Sequence, residues 1–114
     1  MKIKNIEFPT ALEKVKDIED DNIDVFVELE DGMTYTLVVA TPKNLFTQMD
    51  QEQINYIPAS PPFIIVRTLN EDIIKSALQT YVNENAYWLK QYFLASEFDM
   101  DVMDQMLDNI RYKK

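Results

Sequence analysis

The chain contains no cysteine, no histidine and only one glycine in 114 residues. Without cysteine there is no disulfide, no thiolate nucleophile and no cysteine-type zinc site, a composition that suits a reducing compartment. Without histidine the side chain that most often moves protons near neutral pH is missing, so Ser60, Ser76 and Ser96 have no imidazole to activate them. A lone glycine, Gly32, rules out a glycine-rich phosphate cradle and a flexible internal linker. No apolar run approaches the ~18 residues of a membrane span, and the start Met1-Lys2-Ile3-Lys4-Asn5-Ile6-Glu7 lacks the apolar stretch of a secretion signal. These absences lead to the expectation of a cytoplasmic, non-enzymatic protein that needs no cofactor and no metal and does not meet a membrane.

What the chain has in excess is negative charge. Twenty Asp and Glu stand against eleven Lys and Arg, a net charge of −9. Such a field repels the phosphate backbone of nucleic acid, which is therefore not an expected partner, and speeds the capture of basic surfaces. Six Phe, six Tyr and one Trp within an apolar fraction of 46% provide the side chains for one core, and a chain of this length is expected to form a single α+β domain spanning residues 1–114.

A first strand is expected over Ile3–Phe8, ended by Pro9. Thr10-Ala11-Leu12-Glu13 fits a capping box for a short helix with Leu12, Val15 and Ile18 on one face, although the β-branched residues leave an irregular strand open. From Ile23 to Thr41 apolar and polar residues alternate through two strands of a hairpin. A three-residue loop, Glu30-Asp31-Gly32, with Gly32 left-handed, pairs Leu29 with Met33, Val27 with Tyr35, Val25 with Leu37 and Ile23 with Val39, all on one face. A two-residue loop would instead set the apolar face against threonines.

Thr41-Pro42 has the form of an N-cap and first helical residue, predicting a short helix to about Gln53 with Leu45, Phe46 and Met49 as its apolar stripe. Ile57-Pro58-Ala59-Ser60-Pro61-Pro62 reads as a stiff loop, and Phe63–Val66 as a strand buried on both faces. Asn70 then caps a helix bearing Ile73, Ile74, Ala77, Leu78 and Tyr81, and Asn83-Glu84-Asn85 breaks it. A second helix carries Trp88, Leu89, Tyr92 and Phe93. A third, capped by Asp99, carries Met103, Met106, Leu107 and Ile110. The expected architecture is an antiparallel sheet of three or four strands covered by C-terminal helices.

The candidate binding residues are mainly acids. Asp20, Asp21 and Asp24 crowd the approach to the hairpin, Glu28 lies along it toward the tip, and Asp101, Asp104 and Asp108 form a stripe on the last helix opposite its apolar residues, with Glu97 just before it. Tyr87 falls off the aromatic stripe of its helix and is the one aromatic expected at the surface. Asp17, Glu19, Asp21 and Glu28 also match four positions of an EF-hand-like loop, but Asn22 replaces the glycine of the tight turn and Asp24 takes an apolar position, so a polar turn is the better reading. A solvated face accounts for most acid runs, and the same residues fit a surface that meets a basic protein.

The small acidic chain without Cys or His, its hairpin Val25-Phe26-Val27-Glu28 and Tyr35-Thr36-Leu37-Val38-Val39, and the stretch Ala86-Tyr87-Trp88-Leu89-Lys90 resemble the small cytosolic immunity proteins encoded beside polymorphic toxin genes in bacteria. The resemblance is one of overall type along the whole chain and carries no residue roles. It implies a protein that binds a cognate toxin domain, often a basic nuclease, and blocks it. The alternatives from other classes are a regulatory or structural subunit that binds through its helical layer and a small carboxylate-based enzyme; the sequence leaves the oligomeric state open.

Overall fold

The hairpin is the centre of the molecule, and its register is the one that the apolar pairs and Gly32 predict. In the computed structural model, which describes residues 1–97 and 100–112, β2 (Asn22–Leu29) pairs antiparallel with β3 (Thr34–Ala40), with Ile23 opposite Val39, Val25 opposite Leu37 and Val27 opposite Tyr35. Leu29 N–H donates to the Met33 carbonyl at 2.9 Å, and Gly32, at φ +88°, makes the left-handed step of the turn. Met33 itself lies beside the turn and is exposed.

β1 (Ile3–Glu7) joins the free edge of β2, antiparallel, with Ile3 opposite Leu29 and Ile6 opposite Val27. Ile3 and Ile6 are an odd number of residues apart and would point to opposite faces of a regular strand. The register shifts between Ile3 and Asn5, a bulge that puts both side chains on the core face. The expected capping box after Pro9 does not form. Leu12–Lys14 is a single 3-10 turn whose N-cap position is Ala11, with no side-chain cap; Leu12 and Val15 reach the core, but Ile18 is exposed.

The fourth strand departs from the expected antiparallel sheet. β4 (Ile64–Ile65) lies beside β3 in parallel, giving a mixed sheet of order β1-β2-β3-β4. The crossover that a parallel neighbour requires is α1 (Pro42–Glu52) together with the proline-rich loop. β4 is also not buried on both faces. Ile64 and Val66 point into the core while Ile65 is exposed, because the helix that closes the sheet covers only one side.

That helix is α2 (Glu71–Glu97), capped by the Asn70 carboxamide oxygen, which accepts from the amides of Asp72 at 2.9 Å and Ile73 at 3.1 Å. It is interrupted where the asparagines fall: Asn83 is extended and Glu84, Asn85 and Ala86 are left-handed, so the axis changes direction. Ile74, Leu78 and Val82 before the break, and Ala86, Leu89 and Tyr92 after it, pack on Val25, Val27, Leu37 and Val39 to form one hydrophobic core. Ile73, expected on that face, is exposed instead. α3 (Met100–Tyr112) follows; the expected cap at Asp99 and the side chains of Met103 and Glu97 lie outside the described residues. No helix among the described residues is long and apolar enough to cross a membrane.

Two polar devices fix the elements to each other. Tyr92 hydroxyl donates to the Pro62 carbonyl and accepts from the Val38 amide, each at 2.8 Å, bridging β3 to the loop where β4 has not yet begun. α1 is held chiefly by polar groups: of the predicted stripe Leu45 and Met49 are half-buried and Phe46 is 68% exposed, whereas Asn44 is buried. Thr41 caps the helix and donates through its hydroxyl to the Glu19 carbonyl at 2.7 Å. Asn44 accepts from Asn22 Nδ2 at 2.9 Å and from Gln48 Nε2 at 2.7 Å, and donates to Asp20 Oδ1 at 3.3 Å. A buried amide with its partners satisfied specifies the docking of α1 more sharply than an apolar contact would.

Candidate protein-binding surfaces

The acids singled out by the sequence divide into those that the fold uses and those that it presents. Asp20 belongs to the first class. Its two oxygens accept from Asn44 Nδ2 and, at 2.9 Å, from Thr47 Oγ1, so its carboxylate is a half-buried strut between the turn and α1. Asp21 accepts from the Asn22 amide at 2.8 Å, and its carbonyl accepts from the Thr41 amide at 3.3 Å. Asp17 accepts from the Glu19 amide at 3.0 Å and stands 3.9 Å from Lys43. The approach to the hairpin is thus a hydrogen-bonded polar turn.

Asp24 and Glu28 belong to the second class, and β2 places them together. Because Ile23, Val25, Val27 and Leu29 take the core face, Asp24, Phe26 and Glu28 take the other. The same alternation turns Thr34, Thr36 and Val38 of β3 outward, with Thr36 directly opposite Phe26 and Thr34 opposite Glu28. On the other side of β2, Glu7 is opposite Phe26 and Asn5 opposite Glu28. α1 meets only the far end of this outer face, where Asn22 pairs with the buried Ala40 and donates to Asn44. The remainder is a shallow depression of about 170 Å³ lined by Asn5, Glu7, Phe26, Glu28 and Thr34. Lys4, at the bulge, reaches Glu28 at 3.9 Å, with the Lys4 side chain exposed and that of Glu28 half-buried.

Glu7 could not be placed beside Phe26 by pattern alone, since the β1 register depends on the bulge. The signal available for Phe26 was the alternation that sets it out of phase with its apolar neighbours.

The second surface is helical. On α3, Asp101, Asp104 and Asp108 are exposed, and Asp108 pairs with Arg111 at 3.7 Å one turn on. On the other side of the helix Met106, Leu107 and Ile110 line an apolar groove of about 130 Å³ with Leu94 of α2, and Ile110 is 72% exposed. Tyr87 is exposed as expected, but Trp88, assigned by its spacing to the core stripe, is exposed too, at 57%. The two rings meet edge to face, with centroids 5.1 Å apart. The covered face of the second half of α2 is centred on Ala86, Leu89 and Phe93, and Trp88 falls outside it on the helix circumference.

Two tyrosines have displaced ionisation. Burial, with a smaller contribution from the Asp31 carboxylate, raises Tyr35, and burial raises Tyr81. Among the described residues no three carboxylates converge as metal ligands. No protein-family model, curated protein or solved structure matches the chain significantly.

Proposed function

We propose that this is an acidic protein-binding domain that captures a basic protein partner, and that its partner is a cognate bacterial toxin domain which it neutralises, in the manner of an immunity protein. The observation that carries the reading is the open sheet face, where Glu7, Asp24 and Glu28 surround Phe26 with Lys4 as the adjacent cation. Carboxylates fixed on a rigid sheet keep their geometry in the free protein, which favours fast, electrostatically steered association. Against a nuclease domain such a face would meet the cationic groove that holds phosphates.

Affinity purification of the tagged protein from its native cells, with identification of the co-purifying chains, tests the reading. A basic toxin domain is expected in the eluate, with an association rate that falls steeply between low and physiological salt. A neutral housekeeping complex, insensitive to salt, overturns it.

The exposed apolar groove of α3 favours a second reading, a regulatory or structural subunit that binds through its helices. In that case replacing Leu107 and Ile110 with Asp abolishes partner binding, whereas replacing Asp24 and Glu28 with Lys has little effect.

A further inference from the structure

The open face of the sheet holds one arrangement that net charge does not describe: a half-buried aromatic ring with carboxylates beside it in register. Phe26 is opposite Glu7 on β1 and Thr36 on β3, and its same-face neighbours along β2 are Asp24 and Glu28. Phe26, Glu7 and Glu28 line one depression with Asn5 and Thr34. A planar cation laid on the ring would have carboxylate oxygens at its edges and hydroxyl or amide oxygens from Thr34, Thr36 and Asn5 around it. Guanidinium fits these demands better than ammonium, because it is flat, weakly hydrated, stacks on aromatic rings and offers a fork of donors to carboxylates.

We infer that this depression is the anchor site for an arginine side chain of a basic protein partner. The inference rests on the proposed capture of a basic protein and names the contact that would hold it. Lys4 fits the same picture: it places a cation 3.9 Å from Glu28 at the rim, where it competes with an incoming one. Glu13 and Glu71 also share a depression with Phe8, but Ala11 and Leu12 complete its lining where the sheet face supplies Asn5 and Thr34. Asp20 is committed to α1, and Asp101, Asp104 and Asp108 lie across α3 from its apolar residues.

The test is titration of the isotope-labelled full chain with tetra-arginine and, separately, tetra-lysine peptides, followed by NMR. Tetra-arginine is expected to shift the Phe26 ring protons and the amides of Glu7, Glu28 and Thr36 before any others, and to bind more tightly than tetra-lysine. Phe26→Leu should weaken tetra-arginine by about two- to fivefold, the contribution of one exposed ring–cation contact. Glu7→Gln with Glu28→Gln should weaken it by about fivefold, while the triple change of Asp101, Asp104 and Asp108 to Asn should have less effect. Lys4→Gln should tighten binding, and Lys16→Gln, which alters net charge equally, should do so less.

Shifts spread over every acidic surface or centred on α3, equal affinity for the two peptides, or indifference to Phe26→Leu in a folded variant each overturn the inference. If the natural partner binds in a salt-dependent way yet ignores Phe26→Leu and Glu7→Gln, the anchor falls and the capture of a basic protein stands. If no basic partner exists while the arginine peptide still maps to Phe26, the failure belongs to the functional reading.

Discussion

The first half of α2 and the whole of α3 carry similar amphipathic patterns, yet they end in opposite environments. Ile74, Leu78 and Val82 are at most 1% exposed, whereas Met106, Leu107 and Ile110 are 42–72% exposed. Periodicity states that a helix has an apolar face, not what covers it. The inner face of a four-stranded sheet is finite, and α2 on both sides of its break already occupies it. α3 arrives after the core is closed, so its apolar groove remains open beside Leu94.

That contrast can be broken most directly by matched truncations. Leu78→Ala should lower the unfolding free energy by about 2–5 kcal/mol, because the surrounding core cannot collapse fully into the space. Leu107→Ala should change it by less than about 0.5 kcal/mol. Urea denaturation of both variants measures the difference, and equal losses would mean that α3 is covered in solution. A finer comparison sets Tyr92 against Tyr87 in the same helix. Tyr92→Phe leaves the Val38 amide and the Pro62 carbonyl without the bridging hydroxyl and should cost about 1–3 kcal/mol, while Tyr87→Phe should be nearly neutral in the same assay.

The acids can be sorted by the same logic. Asp20→Ala removes two hydrogen bonds to α1 and should cost about 1–2 kcal/mol, whereas Asp104→Ala on exposed α3 should be neutral by thermal or chemical unfolding. The smallest effect is one of pH. Tyr35 and Tyr81 hold their protons more tightly in the folded chain than tyrosine ordinarily does, so the unfolded chain releases them first as pH rises past about 10. Their contribution to stability is intact below that value and is lost above it. Tyr35→Phe or Tyr81→Phe should make the alkaline decline in unfolding free energy shallower.

What could be read without coordinates was whatever local chemistry decides. Gly32 and four apolar pairs determine the hairpin register, Thr41-Pro42 and Asn70 start their helices, and the asparagines at 83 and 85 interrupt α2. What could not be read depends on partners distant in sequence. Asn44 looks like a surface residue of a short helix until Asp20 and Asn22 are brought to it. The parallel pairing of β4 is a decision of the α1 crossover, and Trp88 turns outward because the sheet covers a face centred on Ala86 and Leu89. At the surface, Asp24 and Glu28 were legible as neighbours on one strand, but Glu7 became their companion only through a bulge.

The Tyr92 hydroxyl has a consequence for the order in which the molecule can be completed. Val38 lies 54 residues before Tyr92, and its amide has its acceptor only when the second half of α2 has returned to the sheet. A growing chain that has emerged from the ribosome as far as β4 therefore exposes an unfinished strand edge and an uncovered apolar face. The hairpin can form early from its own turn, but the sheet is finished late, by a side chain from the far end of the fold.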